Sequence, residues 1–440
     1  MSNNNTNAVV KRIAVKAYCE FATPALIGSG LKEYTDNDIL RDKDDNAFLP
    51  GSTVAGVLRS LDADVEGLFG ELDHISPLWV FNAELTDCDG KPAKIVTLDG
   101  VAIGHENKVA LDKRKYDYEA VETGTKFTLR LLLIIREQDC NSNYEEKMKK
   151  LIGTLLSGHV AFGAKSRRGF GEIKCNSVVK REFELNLGNT TALEHWLSFE
   201  WDKQPEQWID TYGEGYFGGK ATIIANLKLN GSIMIRDTRN IFGDSSSQAD
   251  AIDYMHMTSA GMPVIFGTSW AGAFRSYLYR SLELICPGKA HKYLELVFGY
   301  VDEKKERNSA SQVEFGASFL KESDPLVDGY RNITRVKIDR FTGGAANGAL
   351  FTEKPWYGGY TKLAIRYPAA QEDIRELLLL GLDALSNGLI QIGGETSVGR
   401  GFFEVTDVTE SGHPVRITGP KLKLKGALES ISADEAGDEV

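Results

Sequence analysis

Two glycine-rich stretches, residues 163–171 and 393–401, combine residue types that suit the binding of a phosphate. Glycine reaches positive φ and lets another backbone come close, and arginine offers a forked set of donors to phosphate oxygens. The cations of these stretches are Lys165, Arg167, Arg168 and Arg400. The pattern favours contact with a sugar-phosphate strand, although a single such loop is also typical of a tight turn whose glycines serve only the fold.

Each stretch must be positioned by a helix before it and a strand after it. Apolar residues at helical spacing predict helices over 144–157 and 372–387, which end at Gly158 and Gly388. Strands are predicted directly after the two stretches. Both glycine-rich stretches are therefore expected at a helix-to-strand turn.

A second pair of matched segments lies upstream. Pro50-Gly51-Ser52 and Phe266-Gly267-Thr268 each lead into an apolar helical pattern, with Ser52 and Thr268 as predicted N-caps. Strands are predicted over 12–21, 78–85 and 127–135 in the first half and over 221–235 in the second. The matched order predicts a tandem repeat, in which Gly51 pairs with Gly267 and Arg168 with Arg400.

The order strand, helix, two strands, helix, strand is typical of a ferredoxin-like α+β domain. We predict two such domains in tandem. Their expected bounds are 8–185 for the first domain, 186–219 for a connection packed through its tryptophans, 220–412 for the second domain, and 413–440 for a polar acidic tail.

Composition narrows the class of protein. The 440 residues are 42% hydrophobic and 26% charged, as in a globular protein, and the net charge is −11. This charge argues against indiscriminate nucleic-acid binding, so any such contact must be local. The polar start and the lack of a long apolar run predict a cytoplasmic protein without a membrane segment. Five scattered cysteines suggest neither a zinc site nor a disulfide framework.

The motifs and their order resemble those of the RAMP superfamily, whose members form the RNA-binding backbone subunits of type III CRISPR effector complexes. The resemblance rests on Phe48 to Ser52, Ser76 to Ala83, Tyr116 to Val121 and Gly163 to Gly171. The second half repeats it through Phe266 to Ser269, Val297 to Gly299, Lys337 to Phe351 and Gly393 to Gly401. Two fused domains of this kind resemble subunits of the type III-D branch.

The resemblance implies a modified ferredoxin-like, RRM-related fold with inserted β-hairpin thumbs, expected in 86–125 and in part of 300–333. It implies as partners a guide RNA, a complementary target RNA, and other RAMP-family and large or small subunits of the complex. The residues expected to contact RNA are Ser52, Arg59, Gly163, Lys165, Arg167, Arg168, Gly169, Gly171, Thr268, Arg275, Arg340, Gly343, Gly344, Gly393, Gly394, Arg400 and Gly401.

Several members of the family cleave target RNA with an aspartate in the loop after the first strand. The resemblance places this role on Asp36, with Asp38 as the neighbouring alternative, and in the second domain on Asp253, with Asp250 as the alternative. A divalent cation, expected to be Mg²⁺, would act there, and Asp36 is the candidate ligand. A solvated acidic loop without chemistry is the competing interpretation.

Three functions therefore remain open from the sequence. The first is a guide-binding subunit with metal-dependent endoribonuclease activity on the target, and the second is the same scaffold without chemistry. The third is a stand-alone guide-processing ribonuclease. A nucleotide-binding enzyme is disfavoured because neither glycine-rich stretch has the G-x-x-x-x-G-K-[ST] pattern after a strand. Val54-Ala55 and Trp270-Ala271 stand where many relatives carry Leu-Lys, so each helix start lacks one expected cation.

Overall fold

The computed structural model describes residues 7–61, 63–70, 75–104, 110–139, 141–185, 189–203, 207–208, 215, 219–237, 252–302 and 307–417. By their contacts these residues group into two compact units. The described parts of 1–96, 119–166 and 171–218 form the first unit, and those of 97–118, 167–170 and 219–440 form the second.

The helices of the described residues agree closely with the apolar periodicity. They are α1 (Gly51–Arg59), α2 (Tyr144–Leu156), α3 (Thr190–Leu197), α4 (Gly267–Ile285), α5 (Ala290–Phe298) and α6 (Glu372–Ser386). The predicted helices over 144–157 and 372–387 correspond to α2 and α6. Within the described part of the chain, no helix is long and apolar enough to cross a membrane.

Strands make up most of the remaining regular structure. In the first half they are β1 (Val9–Phe21), β2 (Phe48–Leu49), β3 (Leu78–Val80), β4 (Ala83–Glu84), β5 (Ile95–Ile103), β6 (Ala110–Val121), β7 (Lys126–Arg136), β8 (Ile173–Glu184) and β9 (Gln207–Trp208). In the second half they are β10 (Lys220–Asn230), β11 (Ser232–Ile233), β12 (Arg236–Asp237), β13 (Tyr254–His256), β14 (Thr258–Ser259), β15 (Met262–Ile265), β16 (Tyr300–Asp302), β17 (Arg307–Ser309), β18 (Glu314–Phe315), β19 (Ser318–Phe319), β20 (Gly329–Tyr330), β21 (Ile333–Ile338), β22 (Ala345–Lys354), β23 (Trp356–Tyr357), β24 (Tyr360–Pro368), β25 (Phe402–Glu410) and β26 (His413–Pro414).

Each half builds its main sheet with the same strand order. The first sheet runs β3-β7-β1-β8-β9 and the second runs β18-β24-β10-β25-β26. Within both sheets the paired strands are antiparallel. Along the chain, the order β1, α1, β3, β7, α2, β8 is matched by β10, α4, β18, β24, α6, β25. This repeated mixed α+β order is consistent with the predicted ferredoxin-like arrangement.

The core of the first unit lies between one face of its sheet and two helices. Alternate residues of β1, from Ile13 to Phe21, share one buried cluster with Val54 and Leu58 of α1 and with Leu151 of α2. The opposite face is covered by the segment after β8. There Ala14, Leu132, Ile134 and Phe183 pack with Trp196, Phe199 and Trp201. The tryptophan-rich segment is therefore packed as predicted, although the side chain of Trp208 lies outside the described residues.

The second unit repeats the arrangement with a core of its own. Trp270, Phe274 and Leu278 of α4 are fully buried, and they share one cluster with α6 and the sheet. The indole N–H of Trp270 donates to the Ser318 hydroxyl at 3.0 Å, which satisfies its one polar group inside the core. The helix α5 stands where the first half has only a short 3₁₀ helix, Ala63–Leu68.

The predicted N-caps were wrong, because α1 and α4 begin at Gly51 and Gly267, in each case two residues before the start that the predicted cap would set. The N-cap positions are Pro50 and Phe266, both extended. Long-range contacts set these starts. A Cβ at Gly51 would lie 2.4 Å from the Val80 carbonyl oxygen, so only glycine lets the helix pack there. Asn82, and not Ser52, accepts a hydrogen bond from an N–H group at the start of α1: its side-chain oxygen lies 2.8 Å from the Gly51 nitrogen. Ser52 and Thr268 lie exposed in the first turn of their helices.

Two neighbouring glycines separate the cost of backbone conformation from the cost of close packing. Gly401 has φ +76° and a Cβ there would lie 2.0 Å from the Ile392 carbonyl oxygen, whereas Gly399 has φ +91° and open space around it. We expect Gly401→Ala to lower the free energy of unfolding by about 3 kcal/mol or more, and Gly399→Ala by about 1–2 kcal/mol. Urea denaturation of the two variants measures both values. Equal losses would contradict the packing argument.

Candidate nucleic-acid interface

The two glycine-rich loops have the same backbone conformation at their first glycine. A Cβ at Gly163 would lie 2.4 Å from the Leu26 carbonyl oxygen, and a Cβ at Gly393 would lie 2.5 Å from that of Met234. The N–H of the next residue donates to the same carbonyl at 2.8 Å in both loops. Each loop is therefore fixed by backbone contacts to the segment that follows the first strand of its own sheet.

The left-handed residues of the two loops follow one another at the same spacing. They are Gly163, Lys165, Gly169 and Gly171 in the first loop, and Gly393, Glu395, Gly399 and Gly401 in the second. This correspondence pairs Arg168 with Val398 and Phe170 with Arg400. The sequence-based pairing of Arg168 with Arg400 was therefore out of register, because it matched arginines where the backbone matches glycines.

Arg400 lies inside an ion-pair network. Its side chain is 3% exposed and pairs with Glu353 at 2.7 Å and with Glu395 at 2.9 Å. Arg335 pairs with the same two carboxylates, at 3.4 Å and 3.2 Å. The network joins the second glycine-rich loop to both strands of the β21–β22 hairpin. Arg400 thus holds two elements together, and we assign it no phosphate.

Three predicted arginines, Arg167, Arg168 and Arg275, come together within the second unit. Each donates to a backbone carbonyl, with N–O distances of 2.7 Å for Arg168 and 3.4 Å for Arg275. The acceptors are the carbonyl oxygens of Ser311, Phe298 and Gly299, respectively. A guanidinium has five N–H donors, so one such bond orients the fork and leaves other donors for an anion.

The electrostatics of this cluster favour an anion. Burial lowers the pKa of Arg168 to about 10, and the nearby charges of Arg275 and Arg167 lower it further in the same direction. Burial also lowers the pKa of Arg275, against the opposing charge of Glu295. The Nη1 of Arg168 is buried without a hydrogen-bond partner among the described residues. A phosphate oxygen in contact with the cluster would reduce the repulsion between the arginine charges and would accept a hydrogen bond from the Arg168 Nη1.

The other residues predicted in the first loop have mixed surroundings. Lys165 is half-buried in a left-handed conformation, and burial lowers its pKa to about 8. Gly169 packs so closely that a Cβ would lie 2.3 Å from the Ala317 nitrogen, and at Gly171 it would lie 2.0 Å from the Phe162 carbonyl oxygen. These glycines therefore serve the fold. Arg59 lies exposed at the end of α1.

Hairpins occur close to the segments where thumbs were predicted. The strands β5 and β6 pair within 86–125, and β16 pairs with β17 within 300–333. A longer hairpin, β21–β22, begins at the end of the second segment. A hairpin therefore lies in each of the two segments, and the assignment of either one as a thumb stays a prediction.

The tip of the β21–β22 hairpin is a hydrogen-bonded turn that presents an aromatic ring. Asp339 accepts the N–H groups of Phe341 at 3.0 Å and Thr342 at 2.8 Å, and it also accepts the Thr342 hydroxyl. These bonds lower the pKa of Asp339. Phe341 is 99% exposed, and Arg340 beside it is exposed too. Gly343 and Gly344 complete the turn, as exposed residues with little around them.

The loop that carries Asp36 is tied to the returning strand of the first hairpin. The carboxylate of Glu119 in β6 accepts from Arg41 at 2.9 Å and 2.7 Å and from the Ile39 N–H at 3.1 Å. The Glu119 N–H in turn donates to the Asn37 carbonyl oxygen at 3.0 Å. Because Glu119 is buried, this clamp orders the end of an otherwise exposed acidic loop.

Asp36 and its neighbour Asp38 have different surroundings in the structure. Asp38 is buried, and its carboxylate accepts the N–H groups of Glu33, Tyr34 and Thr35 and the Thr35 hydroxyl. Desolvation raises the pKa of Asp38, but these hydrogen bonds prevail and lower it to about 2. Asp38 therefore shapes the loop from inside. Asp36 lies exposed on the outer side of the same turn.

Asp253 occupies the position in the second unit that Asp36 occupies in the first. The Leu40 N–H donates to the Ile27 carbonyl oxygen at 2.7 Å, and the Met257 N–H donates to that of Ile235 at 2.8 Å. Counting back from these equivalent bonds leads to Asp36 and Asp253. Asp253 is half-buried, and its carboxylate accepts the Thr352 N–H of β22 at 2.7 Å. Asp250 lies outside the described residues.

The donor set fits one kind of cation site. Among the residues that the structure describes, no three His, Cys, Asp or Glu side chains converge to hold a metal ion. Asp36 contributes a single exposed carboxylate. Mg²⁺ commonly binds through one or two carboxylates, waters and substrate phosphate oxygens. A Mg²⁺ ion at this loop would therefore be bound by Asp36 together with waters and the phosphate oxygens of a ligand, and not by protein ligands alone.

Sequence reasoning missed the residues that hold these parts together. Glu119, Glu353 and Glu395 bind arginines, and Phe341 stands at the hairpin tip. A charged residue in the middle of a strand pattern is a weak signal, since it reads equally well as a solvated position. The partners of these glutamates are distant in sequence, so one chain alone does not identify them.

Comparison with known protein families gives a match in both halves of the chain. The sequence profile of the RAMP superfamily matches residues 18–174 and 250–404. The first matched region begins in β1 and ends in β8. The second begins shortly before β13 and ends in β25. A search among curated proteins returned no match.

Proposed function

Because this chain belongs to the RAMP superfamily and contains two RAMP domains, we propose that it is a guide-RNA-binding backbone subunit of a type III CRISPR effector complex, similar to those of the type III-D branch. Its partners in this proposal are the guide RNA, the complementary target RNA, and other RAMP-family and large or small subunits. The overall charge of −11 is compatible with this function because the RNA contacts are local.

The observation that carries the proposal is the arginine cluster beside the first glycine-rich loop. Arg167, Arg168 and Arg275 are oriented by carbonyls, and the charges of Arg167 and Arg275 disfavour the protonated form of Arg168. Phosphates are the anions that an RNA-binding protein meets, and arginine forks bind them in a bidentate manner. The cluster is thus a phosphate grip on the guide strand.

Binding of a fluorescent guide RNA to the purified protein tests this assignment. We expect the double variant Arg167→Ala with Arg275→Ala to weaken binding about tenfold or more, because two phosphate contacts are lost. The slope of log affinity against log salt should fall in magnitude by about 1–2. Arg168 is left intact because it is the most buried of the three.

Arg280→Ala is the matched control, since Arg280 is an exposed arginine of the same helix, α4, whose hydrogen bond stays within that helix. It should leave both affinity and salt slope unchanged. Thermal unfolding of each variant shows whether the fold is kept. A folded double variant with wild-type affinity and salt slope would reject the cluster as an RNA contact.

The hairpin tip supplies a second kind of contact. An exposed ring on a hydrogen-bonded turn loses little conformational freedom when a base stacks on it, and Phe341 has that setting. Arg340 beside it can reach a phosphate. In the proposal the β21–β22 hairpin is the thumb of the second domain, and the β5–β6 hairpin is that of the first.

The same proposal includes cleavage of the target RNA. The 2′-hydroxyl next to the scissile bond attacks the phosphorus in line, which forms a 2′,3′-cyclic phosphate and breaks the bond to the 5′-oxygen. The hydroxyl loses its proton to water, and the departing 5′-oxygen takes up a proton from water. Asp36 is exposed and its loop is anchored through Glu119, so its carboxylate can accept a hydrogen bond from that hydroxyl and orient it. A Mg²⁺ ion bound by Asp36 and the phosphate would neutralise charge on the phosphate oxygens. Asp253 is the corresponding candidate in the second domain.

A further inference from the structure

Two cysteines of the first unit face each other across neighbouring strands. Cys19 in β1 and Cys175 in β8 are directly opposite in an antiparallel pair. Opposite residues of such a pair project to the same face, and both side chains belong to the same buried cluster. Both are free thiols in the structure.

The pair has the spacing that a disulfide requires. Opposite residues of an antiparallel ladder have Cα atoms about 4.5–5.5 Å apart, within the range of about 4.4–6.8 Å seen in disulfides. The ladder is irregular between Tyr18 and Cys19, which gives the backbone there some freedom to adjust. The strand register therefore places the two cysteines within reach of a disulfide.

The two thiols differ in their chemistry. A hydrogen bond from Cys19 lowers the pKa of Cys175, against the effect of its burial, and the Cys175 Sγ also lies 3.8 Å from the Ser177 carbonyl oxygen, to which it donates when protonated. The same hydrogen bond to Cys175, together with burial, raises the pKa of Cys19. Cys175 is also the more exposed of the two side chains, at 8% against 3%, so we take it as the nucleophile and Cys19 as the resolving thiol.

We propose that Cys19 and Cys175 form an intramolecular redox pair that small peroxides oxidise to a cross-strand disulfide. The Cys175 thiolate attacks one oxygen of hydrogen peroxide, which gives a sulfenic acid and hydroxide. The Cys19 sulfur then attacks the sulfenic sulfur, and a water leaves. In sum, two thiols and one hydrogen peroxide give one disulfide and two waters.

The position of the pair gives the bond a structural consequence. Shortly after Cys19, the Pro24 carbonyl oxygen accepts the Gly171 N–H at 2.8 Å, and the Ala22 N–H donates to Glu172 at 2.8 Å. These residues form the corner through which the first glycine-rich loop enters β8. A disulfide would lock this corner covalently. The inference rests on the strand register and does not depend on the proposed function.

Peptide mapping of the wild-type protein tests the proposal without any variant. Native protein is treated with hydrogen peroxide, its remaining thiols are alkylated, and it is digested with trypsin without reductant. We expect a linked species of peptides 17–32 and 175–180 that dithiothreitol separates. The oxidised protein should also show a melting temperature higher by about 5 °C.

Two variants sharpen the result. Replacement of Cys88, Cys140 and Cys286 together by serine should leave the linked peptides and the rise in melting temperature intact, whereas Cys175→Ser should remove both. The proposal is overturned if Cys19 and Cys175 are both recovered alkylated after peroxide treatment of the native protein. It is overturned equally if Cys175 is recovered as sulfinic acid with no link to Cys19.

Discussion

Replacement of Asp36 by alanine is expected to abolish one set of cuts in the target RNA, with a fall in rate of about 10³-fold, while guide binding is unchanged. The reason is that the carboxylate of Asp36 is exposed, whereas that of the neighbouring Asp38 is buried and accepts hydrogen bonds from the backbone of its own loop. The measurement is cleavage of a labelled target by the assembled complex, with Mg²⁺ and with EDTA.

Asp44→Ala is the matched control for this prediction, since Asp44 is an exposed acid of the same loop. It should leave every cut in place. Asp253→Ala, assayed in parallel, assigns the remaining cuts to the second domain if a different set is lost. Cleavage by the Asp36→Ala complex at the wild-type rate would reject the catalytic assignment and leave RNA binding as the function of this surface.

The second large effect is expected at Arg400. Its replacement by alanine leaves Glu353, which is fully buried, without its closest partner. Removal of one partner of a buried pair costs about 3–5 kcal/mol, so Arg400→Ala should lower the free energy of unfolding by that amount. Equilibrium denaturation in urea measures it, provided the slope of the transition is unchanged.

Arg236 and a double variant provide the controls for Arg400. Arg236 is half-exposed and pairs with Glu395 at 3.6 Å, so Arg236→Ala should cost at most about 1 kcal/mol. Arg400→Met combined with Glu353→Leu removes both charges and should recover most of the lost stability. If Arg400→Ala is no more destabilising than Arg236→Ala, the network does not hold the loop to the hairpin.

The sequence predicted those parts of the fold that depend on local periodicity. The helix predicted over 372–387 is α6, and the alternation from Ile13 to Phe21 marks the buried face of β1. These features can be predicted because apolar residues recur at the period of the helix or strand, so that they all fall on the face that packs against the core. The repeat was visible in the matched glycine-rich stretches and helix starts of the two halves, and the family profile agrees with it.

The parts that sequence could not predict depend on partners far along the chain. The start of α1 follows from the fit of Gly51 against Val80, and not from a capping side chain at Ser52. The sequence around Arg400 suggests a phosphate-binding residue, but in the fold its guanidinium pairs with Glu353, which lies 47 positions earlier in the chain. Asp36 and Asp38 are alike in sequence, and only the folded loop shows which one points into it.

The equal conformation of the two glycine-rich loops has an evolutionary consequence. Backbone contacts through their glycines hold both loops, so the side chains between those glycines are free to diverge after duplication. Glu395 occupies the position of Lys165 in the second loop, and Arg400 occupies that of Phe170. The first loop carries exposed Arg167, whereas the charges of the second loop, Glu395 and Arg400, pair with each other, and the two loops do this with the same backbone conformation.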